Sequence, residues 1–158
     1  MAPQKVIEIT KPAEGDIAGL TEMINEYAKR GDLLPRSEEH VRATLPDWLI
    51  GKDGDQVIAI GSLLMYGPKL AEVRSLAVSD EVQGTGTGRR LVAGLLDMAK
   101  EREVPRVFAL TRAVKFFERV GFEITVKENF PEKVWNDCSI CPIKDACDET
   151  AVQVYLEF

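Results

Sequence analysis

VRSLAVSDEVQGTGTGRRLVAGLLDMAK, residues 73–100, decides the fold. A β-type run from Val73 to Val78 passes through the polar turn Ser79 to Val82 and reaches Gln83-Gly84-Thr85-Gly86-Thr87-Gly88-Arg89-Arg90, ahead of an amphipathic helical stretch from Leu91 to Lys100. Glycines at three alternate positions, just before a helix N-terminus, leave successive backbone N–H groups unobstructed by side chains. Those orphan amides and the helix dipole both favour an anion, so the segment has the makings of a pyrophosphate cradle. A Walker loop would end in Gly-Lys-Ser/Thr, which Gly88-Arg89-Arg90 does not supply. A dinucleotide fingerprint would run G-x-G-x-x-G early in a βαβ unit, with an acid about 20 residues on. The spacing Gln83-x-x-Gly86-x-Gly88, after a strand ending Leu-Ala-Val, matches neither.

A second pair of elements lies downstream: a strand RVFALT, Arg106 to Thr111, and then AVKFFERVGF, Ala113 to Phe122. The glycine loop after a strand, followed by this strand and helix, resembles the GCN5-related N-acetyltransferase (GNAT) superfamily, with its Q/R-x-x-G-x-G/A loop and A-x-x-F-Y-E-x-x-G-F helix. The resemblance implies an α/β fold, a central mixed β-sheet flanked by helices on both faces. It also implies acetyl-CoA as co-substrate, with its pyrophosphate on the amides of Gln83, Gly84, Thr85, Gly86, Thr87, Gly88 and Arg89. The pantetheine amides would pair with the edge from Leu76 to Val78, and the Val78 N–H would face the thioester carbonyl. No metal is expected.

At 158 residues the chain is expected to form a single domain, residues 1–158, able to bury a core without disulfides or metal. No apolar run of membrane-spanning length occurs, and MAPQKVIEIT lacks the charged-then-apolar pattern of an export signal. A cytoplasmic location is the expectation. The 20 basic and 26 acidic residues give a net charge of −6, which argues against a general nucleic-acid or anionic-membrane surface. An anionic ligand must therefore be gathered by local arginines. A small-molecule partner and a homodimer are both compatible with this balance.

Taken in order, Lys5 to Thr10 alternates as a first strand, and Pro12 opens a helix near Ala13 with Ile17, Leu20, Ile24 and Tyr27 on one stripe. Gly31-Asp32 ends it. The loop GDLLPRS follows, with Pro35 fixing the backbone before Arg36, and Ser37 is set to N-cap a second helix over Glu38 to Thr44. Trp48 to Ile50 and Val57 to Tyr66 read as a hairpin across Lys-Asp-Gly-Asp. In the strand Lys69 to Val78, alternation gives Glu72, Arg74, Leu76 and Val78 one face, unless a β-bulge intervenes between Arg74 and Val78. Val152 to Phe158 alternates as a last strand.

The chemistry follows from the cradle. An acceptor amine, with a pKa of about 8 or above, arrives protonated and must lose a proton before it attacks. Glu72, on the same strand as the proposed Val78 oxyanion donor, is the candidate base; the bland alternative is a strand residue paired to a neighbouring cation. GNAT proteins often protonate the departing thiolate with a tyrosine, and here that position is Phe117. No acid is therefore assigned.

Three segments, the LLPRS loop, EVRSLAV, and LTRAVKFFERVGF followed by FPEKVWNDCSICPIKDACDETAV, resemble bacterial amino-acid N-acetyltransferases of the N-acetylglutamate synthase type. That resemblance implies transfer of acetyl to the α-amine of L-glutamate, as in arginine biosynthesis. Two carboxylates on the substrate call for bidentate arginines, and Arg36, Arg74 and Arg112 come from three different elements, with Lys133 as a fourth contact. Arg90 is expected beside Arg89 at the phosphate end. Longer members of this group carry an amino-acid-kinase-like domain that binds arginine; 158 residues leave no room for it, so feedback by that route is not expected. Alternative activities are acetylation of another small amine or of a protein amine, or a non-catalytic acyl-CoA sensor that lacks a working base.

Cys138, Cys141 and Cys147 admit three readings. They are zinc ligands completed by Asp137, Asp148 or Glu149, or an iron–sulfur or redox group, or reduced thiols that pack an irregular segment. The last is preferred, since the only histidine, His40, is distant in sequence.

Overall fold

A computed structural model describes residues 7–126 and 149–157. Seven strands, β1 (Glu8–Thr10), β2 (Trp48–Asp53), β3 (Gln56–Met65), β4 (Leu70–Val78), β5 (Arg106–Thr111), β6 (Glu123–Ile124) and β7 (Thr150–Tyr155), hydrogen-bond in the order β1-β2-β3-β4-β5-β7-β6. The sheet is mixed: β4 and β5 run parallel, whereas β1/β2, β2/β3, β5/β7 and β6/β7 are antiparallel. Four α-helices accompany it, α1 (Ile17–Lys29), α2 (Glu38–Ala43), α3 (Thr87–Glu101) and α4 (Val114–Arg119). The described residues form two compact units. One comprises the residues up to Leu63 with Ser75–Leu95, the other Leu64–Arg74 with the residues from Leu96 onward.

In the first unit, period-two strands divide their side chains between two helical layers. Trp48 and Ile50 of β2, Ile60 of β3 and Ala77 of β4 join Ile17, Leu20, Ile24 and Tyr27 of α1 and Val41 of α2 in one core. Their intervening neighbours serve α3. A Cβ added at Gly61 would meet Leu76, Leu91 and Leu95 at 3.1 to 3.4 Å, and one at Gly94 would meet Leu49 at 2.7 Å. Helices thus cover both faces, as expected of the fold class, and the two glycines let α3 lie close on β2 and β3. Each fully buried Leu or Ile in these layers contributes about 1.5–3 kcal/mol.

The N-terminal helix starts later than the sequence suggests. A 3₁₀ turn, Glu14–Asp16, precedes α1, because the Asp16 carboxylate accepts the Ala13 N–H at 2.8 Å and the Lys52 ammonium at 2.9 Å. Ser37 caps α2 as expected, accepting from the His40 N–H at 3.1 Å. The β2–β3 hairpin closes through Gly54-Asp55, with Gly54 at φ +61°, and the register then shifts at Gly51/Lys52.

In the second unit, Leu70, Phe108 and Ala151 form a small core with Tyr66 and Leu110. β4 pairs with β5 through Leu70–Arg106, Ala71–Val107 and Glu72–Phe108. The last strand pairs with β5 along its whole length, from Thr150 opposite Thr111 to Tyr155 opposite Arg106. The expected strand tail at Phe158, the residues Lys5 and Val6, and the segment with Lys133, Trp135, Cys138, Cys141 and Cys147 lie outside the described residues. Among the described residues no helix is long and apolar enough to cross a membrane.

The Asp16 anchor makes a stability prediction with a definite sign. The Ala13 amide, and then Lys52, hold its carboxyl below the usual range. A lowered carboxyl stabilises the fold fully above the unfolded value of about 4, and that contribution is lost as pH falls through the folded value. Urea denaturation of Asp16→Asn should therefore give a deficit against the parent at pH 7 that narrows toward pH 3. A deficit independent of pH would remove the anchor from the account of acid stability.

Candidate active site

The glycine cradle is built in the first unit. A 3₁₀ turn, Asp80–Val82, leads from β4 into Gly84 at φ +80° and Gly86 at φ +86°, conformations that side chains with a Cβ rarely adopt. Nothing lies within 4 Å of a Cβ built at either, so backbone conformation, not crowding, demands glycine there. The Arg90 N–H bonds the Gly86 carbonyl at 3.1 Å, which opens α3 and leaves the amides of its first turn pointing out of the helix end. The Thr85 and Thr87 hydroxyls meet at 2.7 Å, and Thr85 also bonds the Val82 carbonyl, so the loop is braced by its own side chains. Gly88 lies in the first turn of α3 and Arg89 is exposed beside it. Arg90 differs from expectation: its guanidinium donates to the Ile7 carbonyl at 2.9 Å and thereby ties α3 to the chain before β1.

The end of β4 is held from several directions. Tyr27 donates to the Val78 carbonyl at 2.9 Å and the Gln83 amide donates to the same oxygen at 3.2 Å. The Ser79 N–H bonds Ile58 on β3 at 2.8 Å. The carbonyl and N–H of that one peptide point in opposite directions, so Val78 turns its carbonyl away from β3. In an extended residue its own N–H points the same way. Burial, followed by the nearby Asp80 carboxylate, raises the Tyr27 phenol above its usual value, so it stays a donor. Arg30 sits over the Tyr27 ring at 4.5 Å and reaches Asp80 at 3.5 Å.

In the second unit, Glu72 is buried at 7% exposure. Its Oε1 accepts from the Tyr66 hydroxyl at 2.9 Å and lies 3.7 Å from Arg74 Nε. The expected sharing of a face by Glu72 and Arg74 therefore holds. It does not extend simply to Leu76 and Val78, because Ser75 takes φ +53° in mid-strand, a non-glycine left-handed residue that interrupts the alternation. Tyr66 is fixed at three points: its N–H bonds the Leu70 carbonyl at 2.8 Å, its ring lies 5.9 Å from that of Phe108, and its hydroxyl rests on Glu72.

Of the proposed acceptor contacts, Arg36 belongs to the first unit, where its main chain is bound by Asn25: N–H to Oδ1 at 3.1 Å and Nδ2 to carbonyl at 2.9 Å. Arg112 is exposed just past β5, in the second unit, before a turn in which Thr111 Oγ1 accepts the Ala113 N–H at 2.8 Å. Phe117 is buried and packs edge-on against Phe116 and Phe122, an apolar aromatic contact with no acid. Among the described residues no three His, Cys, Asp or Glu side chains are grouped to hold a metal ion.

Sequence reasoning missed Tyr66, Tyr27 and Asn25. Tyr66 carried a signal, since it directly precedes the Gly67-Pro68 turn that leads into the strand bearing Glu72. Tyr27 was assigned to the apolar stripe, which hides its hydroxyl, and Asn25 lies off that stripe with nothing in the local sequence to mark its partner.

Residues 16–122 match the model of the acetyltransferase (GNAT) family. An uncharacterized N-acetyltransferase of Chlorobaculum tepidum is 39% identical over 137 residues, covering 87% of this chain and 88% of the relative. The amino-acid acetyltransferase of Neisseria meningitidis is 28% identical over 84% of this chain, which spans only 31% of that longer protein. Among solved structures, N-acetylglutamate synthase from Neisseria gonorrhoeae, complexed with coenzyme A and N-acetyl-glutamate, superposes with a TM-score of 0.84 at 24% identity. That likeness covers 99% of this chain and 37% of the other.

The cradle predicts its own sensitivity. Gly86→Ala places a Cβ at φ +86° and should lower stability by about 1–2 kcal/mol, read by urea denaturation. Unchanged stability would mean that the loop relaxes to negative φ without cost.

Proposed function

The chain belongs to the acetyltransferase (GNAT) family, and from that premise we propose that it moves the acetyl group of acetyl-CoA to the α-amine of L-glutamate. The observation that carries this reading is the buried Glu72 carboxylate, with Tyr66 and Arg74 against it, on the strand that ends in Val78. The amino acid in the name of the similar amino-acid acetyltransferases supports an amino-acid acceptor, and the coenzyme A and N-acetyl-glutamate of the similar synthase structure support the choice of donor and of glutamate.

The donor's pyrophosphate rests on the outward amides from Gln83 to Arg89, at the positive end of the α3 dipole. The Val78 N–H, turned away from β3, donates to the thioester oxygen as it becomes an oxyanion. Its orientation is set in advance, because the adjoining carbonyl is held by Tyr27 and Gln83. The acceptor's carboxylates pair with Arg36, Arg74 and Arg112, of which Arg74 already turns its Nε edge toward Glu72.

The reaction is direct attack in a ternary complex. Glu72 takes a proton from the α-ammonium, the freed nitrogen pair forms a bond to the thioester carbon, and the tetrahedral intermediate collapses with loss of the C–S bond while the second nitrogen proton passes to solvent, leaving the neutral amide. The CoA sulfur leaves as thiolate. With a thiol pKa of about 8 to 9 it does not require a tyrosine acid, which accords with the apolar setting of Phe117. The Tyr66 hydroxyl donates to that carboxylate and the Arg74 guanidinium stands 3.7 Å from it, so its position is fixed before the amine arrives.

Release of CoA thiol across a panel of amino acids, with mass spectrometry of the product, tests the assignment. Glutamate-selective turnover with acetyl on the α-nitrogen is expected; turnover only with peptides or polyamines would discard the acceptor and keep the donor. Glu72→Gln should lower kcat by on the order of 10²–10⁴, with the largest loss below the amine pKa and partial recovery at alkaline pH. A uniform loss at all pH values would assign Glu72 to structure. Arg74→Ala should raise KM for glutamate much more than KM for acetyl-CoA, and equal effects on both would remove the carboxylate contact.

A further inference from the structure

The loop between α1 and α2 carries Arg36, and α1 grips it in an unusual place. Asn25 spends both ends of its side-chain amide on one residue: its Oδ1 accepts the Arg36 N–H at 3.1 Å and its Nδ2 donates to the Arg36 carbonyl at 2.9 Å. The pattern copies a strand pairing, but with a side chain in place of the second strand. The clip uses only main-chain groups of Arg36, so it would hold any residue type there equally well. It sets where the side chain leaves the backbone and not which side chain that is. Directly after it, Pro35 having fixed the approach, Ser37 caps α2 and stops the loop from sliding along the helix.

The same helical segment also holds the end of β4. Tyr27, two residues on and roughly 200° around the helix from Asn25, donates to the Val78 carbonyl at 2.9 Å. One side of α1 therefore holds the Arg36 backbone and the opposite side holds Val78. Ile17, Leu20 and Ile24 bury the helix between them against β2 and β3, all in the first unit.

We infer that Asn25 is the positioning residue for the Arg36 guanidinium, and that α1 acts as a fixed spacer between Arg36 and Val78 that sets the length of acceptor accommodated. The inference rests on the proposed role of Arg36 as a carboxylate contact and adds to it what makes that contact selective. A guanidinium at a fixed distance from the acyl carbon favours one separation of amine and side-chain carboxylate. A loosened loop would follow the carboxylate of a shorter amino acid inward. Loss of the clip should therefore weaken glutamate binding and narrow the preference for glutamate over aspartate.

The test compares Asn25→Ala, Asn25→Asp and Arg36→Ala by steady-state kinetics on glutamate and aspartate, with hydrogen exchange of the Arg36 amide followed by NMR. Asn25→Ala should raise KM for glutamate on the order of tenfold, with kcat and KM for acetyl-CoA moving less than about twofold. It should also deprotect the Arg36 amide and have no further effect in the Arg36→Ala background. Asn25→Asp keeps the side-chain shape and one acceptor and should fall between, which separates loss of the clip from loss of the fold. If Arg36→Ala raises KM for glutamate but Asn25→Ala does not, or if the Arg36 amide stays protected in Asn25→Ala, the inference is overturned and the role of Arg36 stands. If Arg36→Ala leaves KM for every accepted amine unchanged, the acceptor role of Arg36 fails and the spacer falls with it.

Discussion

The peptide joining Val78 to Ser79 is held from both sides, and much of the first unit converges on it. Its N–H is bonded to Ile58 on β3, and its carbonyl takes hydrogen bonds from Tyr27 on α1 and from Gln83 at the mouth of the cradle. Two elements distant in sequence, α1 and β3, and the loop that follows β4 thus constrain one amide plane. A strand's last carbonyl needs a donor once the ladder ends, and the arrangement supplies it where β4 stops being a strand. It also fixes the direction of the Val78 N–H, which a catalytic hydrogen-bond donor needs before substrate arrives.

Just beyond that peptide the chain must turn sharply and present bare amides. Gly84 and Gly86 make the turn at positive φ, and the threonine hydroxyls of residues 85 and 87 brace it from within. The helix that follows is anchored twice, by Leu91 and Leu95 against β3 and β4 and by Arg90 on the Ile7 carbonyl. An anion bound at the helix end thus meets a rigid set of dipoles, since the hydrophobic layer under α3 holds them in place.

The other half of β4 follows a different logic. Glu72 is buried with polar groups against it: a phenol bonds it at 2.9 Å and a guanidinium stands at 3.7 Å. The left-handed Ser75 lies between this carboxylate and Val78 and breaks the regular alternation. Such a residue costs on the order of 1 kcal/mol or more and persists only where its surroundings impose it. Sites of this kind recur where a strand must aim successive groups in directions that a flat pleat would not allow.

The cradle, the alternation of β4 and the amphipathic stripe of α1 were all legible in the sequence, because each is a local pattern: glycine spacing, period two, period 3.6. So were the Ser37 cap and the face shared by Glu72 and Arg74, two residues apart on one strand. What the tertiary structure alone decided are the long-range polar contacts, Tyr27 with Val78, Asn25 with Arg36 and Arg90 with Ile7, which join residues 51, 11 and 83 positions apart. A hydroxyl on an apolar stripe or an arginine beside a glycine loop has the same local signature whatever it binds. Its partner is set only when packing brings two distant segments within the roughly 3 Å of a hydrogen bond.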